Sequence, residues 1–304
     1  MGRNRSNAEF LRNAWRAHTV VPAFNIPYLP MMEPIVRALR DTESFGLIAV
    51  ARLEWVKFEA GSLEAVRDEY ERVGDARFTG LHLDHVPVVD EDNEEVDFED
   101  VIHRAIHAGY GSVMVDGSRL PLDRNIECSR RIADMAHAAG IPVEGELGAV
   151  LGHEAGPLPS YDELFASGRG FTDPDEAARF VRETGVDWLS VAIGNVHGAI
   201  AGAARKEKKI QARLDLDHLQ RISAAVGIPL VLHGGTGIPK ESVLAAVGRG
   251  VAKVNVATAL RQPYEKLAGE SVSSAQQAVY DAAVEILKNE LEVAGQAAIV
   301  NPKP

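Results

Sequence analysis

The chain has 304 residues, of which 46% are hydrophobic, and its formal net charge is −12. The acidic balance disfavours nucleic acid and anionic membranes as partners, and no apolar run is long enough to span a bilayer. A single cysteine, Cys128, excludes an intramolecular disulfide framework, and because the sequence shows no secretory signal, a cytoplasmic location is expected.

Short β-branched runs alternate with amphipathic helical runs along nearly the whole chain. Eight runs are predicted to be strands: VVPAFNI (20–26), GLIAVAR (46–52), TGLHLDH (79–85), SVMVDGS (112–118), IPVEGELG (141–148), WLSVAIG (188–194), IPLVLHG (228–234) and VAKVNVAT (251–258). Four of the helical runs between them end at a glycine, the residue that best tolerates a left-handed cap: Gly109, Gly140, Gly185 and Gly227. Thr172-Asp173-Pro174 is a typical helix start, with a capping side chain ahead of a proline.

Eight strands in regular alternation with helices predict an α/β fold, a closed (β/α)8 TIM barrel formed as one domain by residues 1–304. A doubly wound open sheet is the alternative, and it is weakened because no Gly-x-Gly-x-x-Gly turn follows the first strand. A leading helix at Ala8–Ala17 is expected to cover the bottom of the barrel. A helical extension at Ala275–Gly295 is expected to follow the barrel and to serve subunit packing.

Histidines stand at the predicted carboxyl ends of three strands, where a barrel enzyme places its chemistry. They are His85, His197 and His233, at the exits of strands three, six and seven. One such histidine is usually structural, but three on one rim are a natural ligand set for zinc with an open coordination position. His82 alternates with two leucines, and it is interpreted as a hydrogen-bonded core residue.

Glycine-rich turns follow two of these histidines and predict a phosphate site. Consecutive glycines let backbone N–H groups approach an anion closely, and a threonine hydroxyl adds a donor. A tight turn alone would explain one glycine, but less easily three around a threonine. The residues of this predicted cradle are Gly198, Gly234, Thr236, Asn255 and Thr258.

The ordered motifs VPAFNI, LHLDH, GYGSVMVDGS, VEGELG, GNVHG, LVLHGGTGIP and KVNVAT resemble those of class II, metal-dependent fructose-bisphosphate and tagatose-bisphosphate aldolases. The resemblance extends over residues 20–261. It implies reversible retro-aldol cleavage of a ketose bisphosphate, such as fructose 1,6-bisphosphate, to dihydroxyacetone phosphate and an aldehyde such as glyceraldehyde 3-phosphate. It also implies a homodimer or homotetramer.

The resemblance assigns a role to each matching position. As ligands of Zn²⁺, or of another divalent metal, it implies His85, His197 and His233, with Glu146 at an alternative metal position. Asp84 would be the acid/base at the aldehyde oxygen, with a partner of a metal ligand or a helix cap as its alternative role. For the ketone-side phosphate and its surroundings the family implies Asn25, Gly198, Gly234, Thr236, Asn255 and Thr258, with Na⁺ or K⁺ beside the phosphate in several relatives.

Three features depart from the family pattern, and the mildest is Thr236, which replaces the commoner serine and keeps the hydroxyl. The loop after Glu146 is altered, but counting along it places Glu154 at the expected general base. Arg52 stands where relatives have a serine that helps to hold substrate, and it could bind a phosphate or carboxylate bidentately or pair with Glu54. For the second phosphate of a bisphosphate, Arg261 and an arginine of a neighbouring subunit are both candidates.

Three rival functions stay open at this point. The protein could be an aldolase for a different phosphorylated ketose, as Arg52 and the altered loop suggest. It could use Lys253 as the nucleophile of a Schiff-base mechanism, which would leave the three histidines without a task. It could also be a non-catalytic barrel that binds a sugar phosphate.

Overall fold

The computed structural model describes residues 6–148, 161–195, 213–234 and 237–302. Eight strands form its centre: β1 (Val21–Asn25), β2 (Gly46–Ala51), β3 (Thr79–Pro87), β4 (Val113–Asp116), β5 (Val143–Leu147), β6 (Trp188–Val191), β7 (Leu230–Leu232) and β8 (Val251–Val256). All neighbouring pairs are parallel, and β1 also pairs with β8, so that Ala23 lies opposite Asn255. The sheet is therefore a closed barrel, and the predicted (β/α)8 fold is confirmed.

Helices connect the strands and cover the barrel. Their bounds are α1 (Asn7–Arg16), α2 (Met32–Asp41), α3 (Arg52–Val56), α4 (Leu63–Val73), α5 (Phe98–Ala108), α6 (Leu122–Ala138), α7 (Tyr161–Ser167), α8 (Pro174–Thr184), α9 (Leu216–Val226), α10 (Lys240–Val247), α11 (Thr258–Ala268), α12 (Val272–Glu285) and α13 (Ala297–Val300). A 3₁₀ turn at Leu29–Met31 precedes α2. None of the helices in the described ranges is long and apolar enough to cross a membrane.

Local sequence signals explain how these helices begin and end. Asp173 caps α8 by accepting hydrogen bonds from the amides of Asp175 and Glu176, and Pro174 occupies the first helical position. A cap of this kind contributes about 1 kcal/mol to helix stability. Gly185 then ends α8 in the left-handed conformation, with φ of 73°, as the sequence predicts.

Helix α1 closes the amino-terminal end of the barrel, as expected of a covering helix. The Asn7 side chain donates to the carbonyl oxygen of Leu81 at 3.0 Å and to Ser112 Oγ at 2.7 Å. A Cβ atom at Gly80 would overlap the Asn7 side chain, so the absence of a side chain there permits this close approach. The opposite, carboxyl-terminal end stays available for a site.

The carboxyl-terminal helix is shorter than the predicted 275–295. Helix α12 ends at Glu285, and a single π-helical turn follows at Ile286–Glu290. The chain then turns back, because the Gly295 amide donates to the carbonyl oxygen of Thr42 at the end of α2. This contact anchors the extension to the barrel's own helices.

Candidate metal centre and active site

Asp84 lies near the carboxyl end of β3 and is 1% exposed. Its Oδ2 accepts hydrogen bonds from the side-chain amides of Asn25 on β1 and Asn255 on β8, each at 2.9 Å. Burial alone would raise the pKa of Asp84, but the positive charges of Lys253 and His85 lower it well below its usual value. The predicted acid/base residue is therefore a fixed carboxylate facing the barrel axis.

A break in β3 allows two adjacent residues to reach one site. Side chains alternate along a regular strand, so Asp84 and His85 should point to opposite faces. The pairing of β3 with β4 shifts register between Leu83 and Val86, and His85 has a left-handed backbone with φ of 27°. This conformation is costly for a residue with a side chain. It turns the His85 side chain toward the same site as the Asp84 side chain.

The imidazoles of His85 and His233 meet at the rim. Nε2 of His85 faces Nδ1 of His233, and the ring centroids are 4.3 Å apart with the planes at 87°. The other nitrogen of each ring has a carboxylate partner. His85 Nδ1 is 3.2 Å from Asp116 Oδ2, and His233 Nε2 is 2.8 Å from Glu144 Oε1. A carboxylate behind each ring, with the second nitrogens converging, is typical of metal-binding histidines.

Glu146 supplies an orphaned acceptor close to both imidazole rings. It is 2% exposed, and its Oε2 has no hydrogen-bond partner among the described residues. This oxygen is 3.9 Å from His233 Nδ1 and 3.7 Å from His85 Nδ1. Burial, together with the negative charges of Asp116, Glu144 and Asp84, raises the pKa of Glu146 well above its usual value. A divalent cation would satisfy this oxygen, so the donor set fits a metal ion.

The surroundings shift the pKa values of His85 and His233 in opposite directions. Burial and the neighbouring charge of His85 lower the pKa of His233 to about 4, so this imidazole is neutral, as a metal ligand must be. For His85, burial on its own lowers the pKa, but the carboxylates of Asp84, Asp116 and Glu146 raise it to about 10. Their negative charge favours a cation at this position, whether a proton or a metal ion.

Lys253 is fully buried inside the barrel and does not have the surroundings of a Schiff-base nucleophile. Its Nζ is 2.7 Å from Glu144 Oε2 and 3.5 Å from Asp84 Oδ1. A Schiff-base nucleophile needs a free amine that can reach a substrate carbonyl, whereas this amine is buried and held by two carboxylates. The geometry therefore argues against the class I mechanism for this chain.

The structure shows the partners of Arg52 and His82. Arg52 does not pair with Glu54: its Nη1 is 3.3 Å from Asp90 Oδ2 in the loop after β3. Glu54 is instead turned inward, where it accepts from the Ala51 amide at 2.8 Å and contacts Asn25 Nδ2 at 3.5 Å. His82 is buried as predicted, and its Nδ1 is hydrogen-bonded to Ser112 Oγ at 2.8 Å.

The remaining predicted residues divide between described and undescribed parts of the chain. Gly234 has a left-handed φ of 67° directly after His233, and Thr258 begins α11 just beyond β8. Both follow strands that end at the same rim as Asn255. His197, Gly198, Glu154 and Thr236 lie outside the described residues.

Glu144 and Glu54 are site residues that the sequence reasoning missed. The alternation Glu144-Gly145-Glu146 was a usable signal, since it places both carboxylates on the same face of β5. Glu54 stands three residues after the strand-end Ala51, a spacing at which a side chain reaches back to a helix start. Burial raises its pKa to about 8.

A closed parallel barrel with a histidine and carboxylate cluster at its carboxyl rim defines a barrel enzyme with a candidate metal centre. The chain matches the family described as fructose-bisphosphate aldolase class-II over residues 5–299. It is 35% identical over 257 residues to the fructose-bisphosphate aldolase of Streptococcus pneumoniae, covering 83% of this chain and 78% of that protein. For the fructose-bisphosphate aldolase of Geobacillus stearothermophilus, the identity is 32% over 256 residues, with coverages of 83% and 80%.

Solved structures agree with this assignment. The YdjI aldolase from Escherichia coli K12 superposes with a TM-score of 0.74 at 26% identity, covering 95% of this chain and 98% of that one. The fructose-bisphosphate aldolase of Campylobacter jejuni shares the fold, with a TM-score of 0.71 at 16% identity and 94% coverage of each chain. The chain belongs to the class II fructose-bisphosphate aldolase family. It is a carbon–carbon lyase of a family that generally depends on zinc.

Proposed function

We propose that this enzyme cleaves a ketose bisphosphate of the fructose 1,6-bisphosphate type to dihydroxyacetone phosphate and an aldehyde such as glyceraldehyde 3-phosphate, and catalyses the reverse condensation. The observation that supports it most strongly is the convergence of His85 Nε2 and His233 Nδ1, each ring held from behind by a carboxylate. The named relatives share this activity by name.

His85, His233 and His197 would hold the metal ion, with Glu146 as a ligand at an alternative position. A divalent ion such as Zn²⁺ supplies a Lewis acid, which stabilises the negative charge released when a bond next to a ketone breaks. Asp116 and Glu144 hold the outer nitrogens of His85 and His233, so that the inner nitrogens keep their direction.

Asp84 would move the proton at the aldehyde oxygen. In cleavage its carboxylate accepts the proton of the hydroxyl on the breaking bond, and in condensation it returns that proton. The amides of Asn25 and Asn255 orient this carboxylate. Glu154 would move the second proton, at the carbon next to the ketone.

The ketone-side phosphate would lie at the ends of β7 and β8. We assign its binding to Gly198, Gly234, Thr236, Asn255 and Thr258, with Asn25 beside it and a Na⁺ or K⁺ ion as its counter-charge. Arg52 would bind an anionic group of the substrate, a phosphate or a carboxylate. Arg261 and an arginine of a neighbouring subunit are the other candidates for binding the second phosphate. Because Arg52 replaces the family's serine, a different phosphorylated ketose is the second candidate substrate.

Family resemblance further supports a homodimer or homotetramer and a location in the cytoplasm. The proposed catalytic mechanism depends on neither expectation.

A substrate panel tests the proposed function. The zinc-loaded protein is assayed for dihydroxyacetone phosphate release from fructose and tagatose 1,6-bisphosphates and from the corresponding 1-phosphates. We expect turnover of at least one bisphosphate, and loss of turnover in Glu154→Ala. Zinc binding without cleavage of any of these compounds would instead indicate the non-catalytic sugar-phosphate barrel.

A further inference from the structure

Below the rim, the barrel interior contains a buried layer of polar side chains. Lys253 of β8, Glu144 of β5 and Trp188 of β6 are each at most 1% exposed. Glu144 Oε2 is 2.7 Å from Lys253 Nζ and accepts a hydrogen bond from Trp188 Nε1 at 2.6 Å. Both donors therefore act on the same carboxylate oxygen.

Fold stability does not explain this layer. Barrel interiors are usually filled by branched apolar side chains. Removing a lysine and a glutamate from water is costly, and replacing a buried ion pair by apolar residues of similar volume is often neutral or stabilising. The pair between Lys253 and Glu144 therefore calls for a different explanation.

The other oxygen of Glu144 connects the layer to the metal centre. Oε1 lies 2.8 Å from His233 Nε2, while the opposite nitrogen of that ring faces His85. With two donors fixing Oε2, the carboxylate cannot rotate without losing both contacts. Its Oε1 thereby fixes the tilt and the tautomer of the His233 ring.

We propose that Lys253 is a positioning residue of the metal centre, which sets the direction of His233 Nδ1 through Glu144 without touching the metal or the substrate. The inference rests on the proposed metal site. The ammonium group of Lys253 lies 3.5 Å from Asp84 Oδ1. One buried charge is therefore shared by Glu144, which holds His233, and Asp84, the proposed proton-transfer residue.

A double-mutant cycle on zinc affinity tests this relay. Wild type, Lys253→Met, Glu144→Gln and the double variant are stripped of metal, and zinc dissociation constants are measured by competition with a chromophoric chelator at one pH. We expect each single variant to bind zinc about 10- to 100-fold more weakly, the usual loss when a partner behind a ligand is removed. The double variant should bind no more weakly than Glu144→Gln, because Lys253 acts through Glu144.

Val254→Ala is the matched control, since Val254 is buried on the same strand next to Lys253 and lines the outer cavity between β8 and its helices. It should lower the melting temperature of the apoprotein and leave zinc affinity unchanged. If Lys253→Met does not fold, Lys253→Gln keeps a side-chain donor, and we expect a measurable loss of zinc affinity that is smaller than the usual loss of about 10- to 100-fold.

Three results would overturn the relay. They are an unchanged zinc affinity in a folded Lys253 variant, a loss of zinc affinity in the double variant equal to the product of the two single losses, or a loss in Val254→Ala as large as that in the Lys253 variant. If the wild-type protein itself binds no zinc, the proposed metal site fails, and the relay fails with it. A wild-type protein that binds zinc and a Lys253 variant that binds it equally well would remove the relay alone.

Discussion

The side-chain amide of Asn255 donates to both oxygens of Asp84, at 3.0 and 2.9 Å, although the two residues are 171 positions apart in sequence. Closure of the barrel creates this contact, because it places β8 next to β1, and β1 in turn supplies Asn25 to the same carboxylate. The Asp84 carboxylate is thus held by side chains from both the first and the last strand of the barrel.

This contact predicts the behaviour of Asn255→Ala. Loss of one of the amides that orient Asp84 should lower kcat by roughly tenfold, a part of the 10²- to 10⁴-fold that acid/base catalysis typically contributes. Steady-state kinetics of the zinc-loaded enzyme measure it, and Asn25→Ala should show a kcat loss of similar size. A raised KM with an unchanged kcat would mean that Asn255 acts only on the phosphate and does not orient Asp84.

Glu54 makes stability depend on pH. Burial raises its pKa in the folded protein to about 8, whereas the unfolded chain has an ordinary glutamate pKa of about 4.3. The folded state binds the proton more tightly, so this contribution to stability is complete below about pH 4.3 and is lost as the pH rises to about 8. Glu54→Gln keeps the neutral form at every pH and should not show the loss.

Thermal unfolding of wild type and Glu54→Gln between pH 5 and 9 measures the difference. The melting temperature of wild type relative to the variant should fall by roughly 5 °C or more across this range, since about 1 kcal/mol shifts the melting temperature of a protein this large by a few degrees. Parallel curves for the two proteins would show that Glu54 is ionised throughout.

The proposed binding of a substrate anion by Arg52, which pairs with Asp90, predicts an effect on substrate specificity. If Arg52 binds the far anionic group, Arg52→Ala should raise KM for a ketose bisphosphate by about 10- to 100-fold, since a hydrogen bond to a charged group contributes about 1.5–3 kcal/mol. The matched 1-phosphate should keep its KM. An equal change for both substrates would assign Arg52 to anchoring the loop that contains Asp90.

Strand and helix patterning alone predicted the barrel, because eight buried β-branched runs separated by amphipathic helices have few other arrangements. The meeting of His85 and His233 followed from their positions at the carboxyl ends of strands in one barrel. Alternation could not predict that Asp84 and His85 share a site, since this depends on the irregular backbone at His85.

Other contacts depend on long-range geometry that the sequence pattern does not contain. Which interior side chains of β5 and β8 lie at the same height follows from the stagger of the whole barrel, so the pairing of Lys253 with Glu144 was not foreseen. Pairing with Glu54 was one of two open alternatives for Arg52, and the sequence could not indicate Asp90 instead, because Asp90 reaches Arg52 only through the turn that follows β3.

The most direct test is to measure dihydroxyacetone phosphate release from the bisphosphate that the enzyme cleaves before chelation, after chelation, and after zinc is restored, with borohydride treatment in the presence of substrate as a control. The account predicts that chelation abolishes turnover, that zinc restores it, and that borohydride traps no covalent adduct. Full turnover after chelation, or covalent trapping at Lys253, would contradict it.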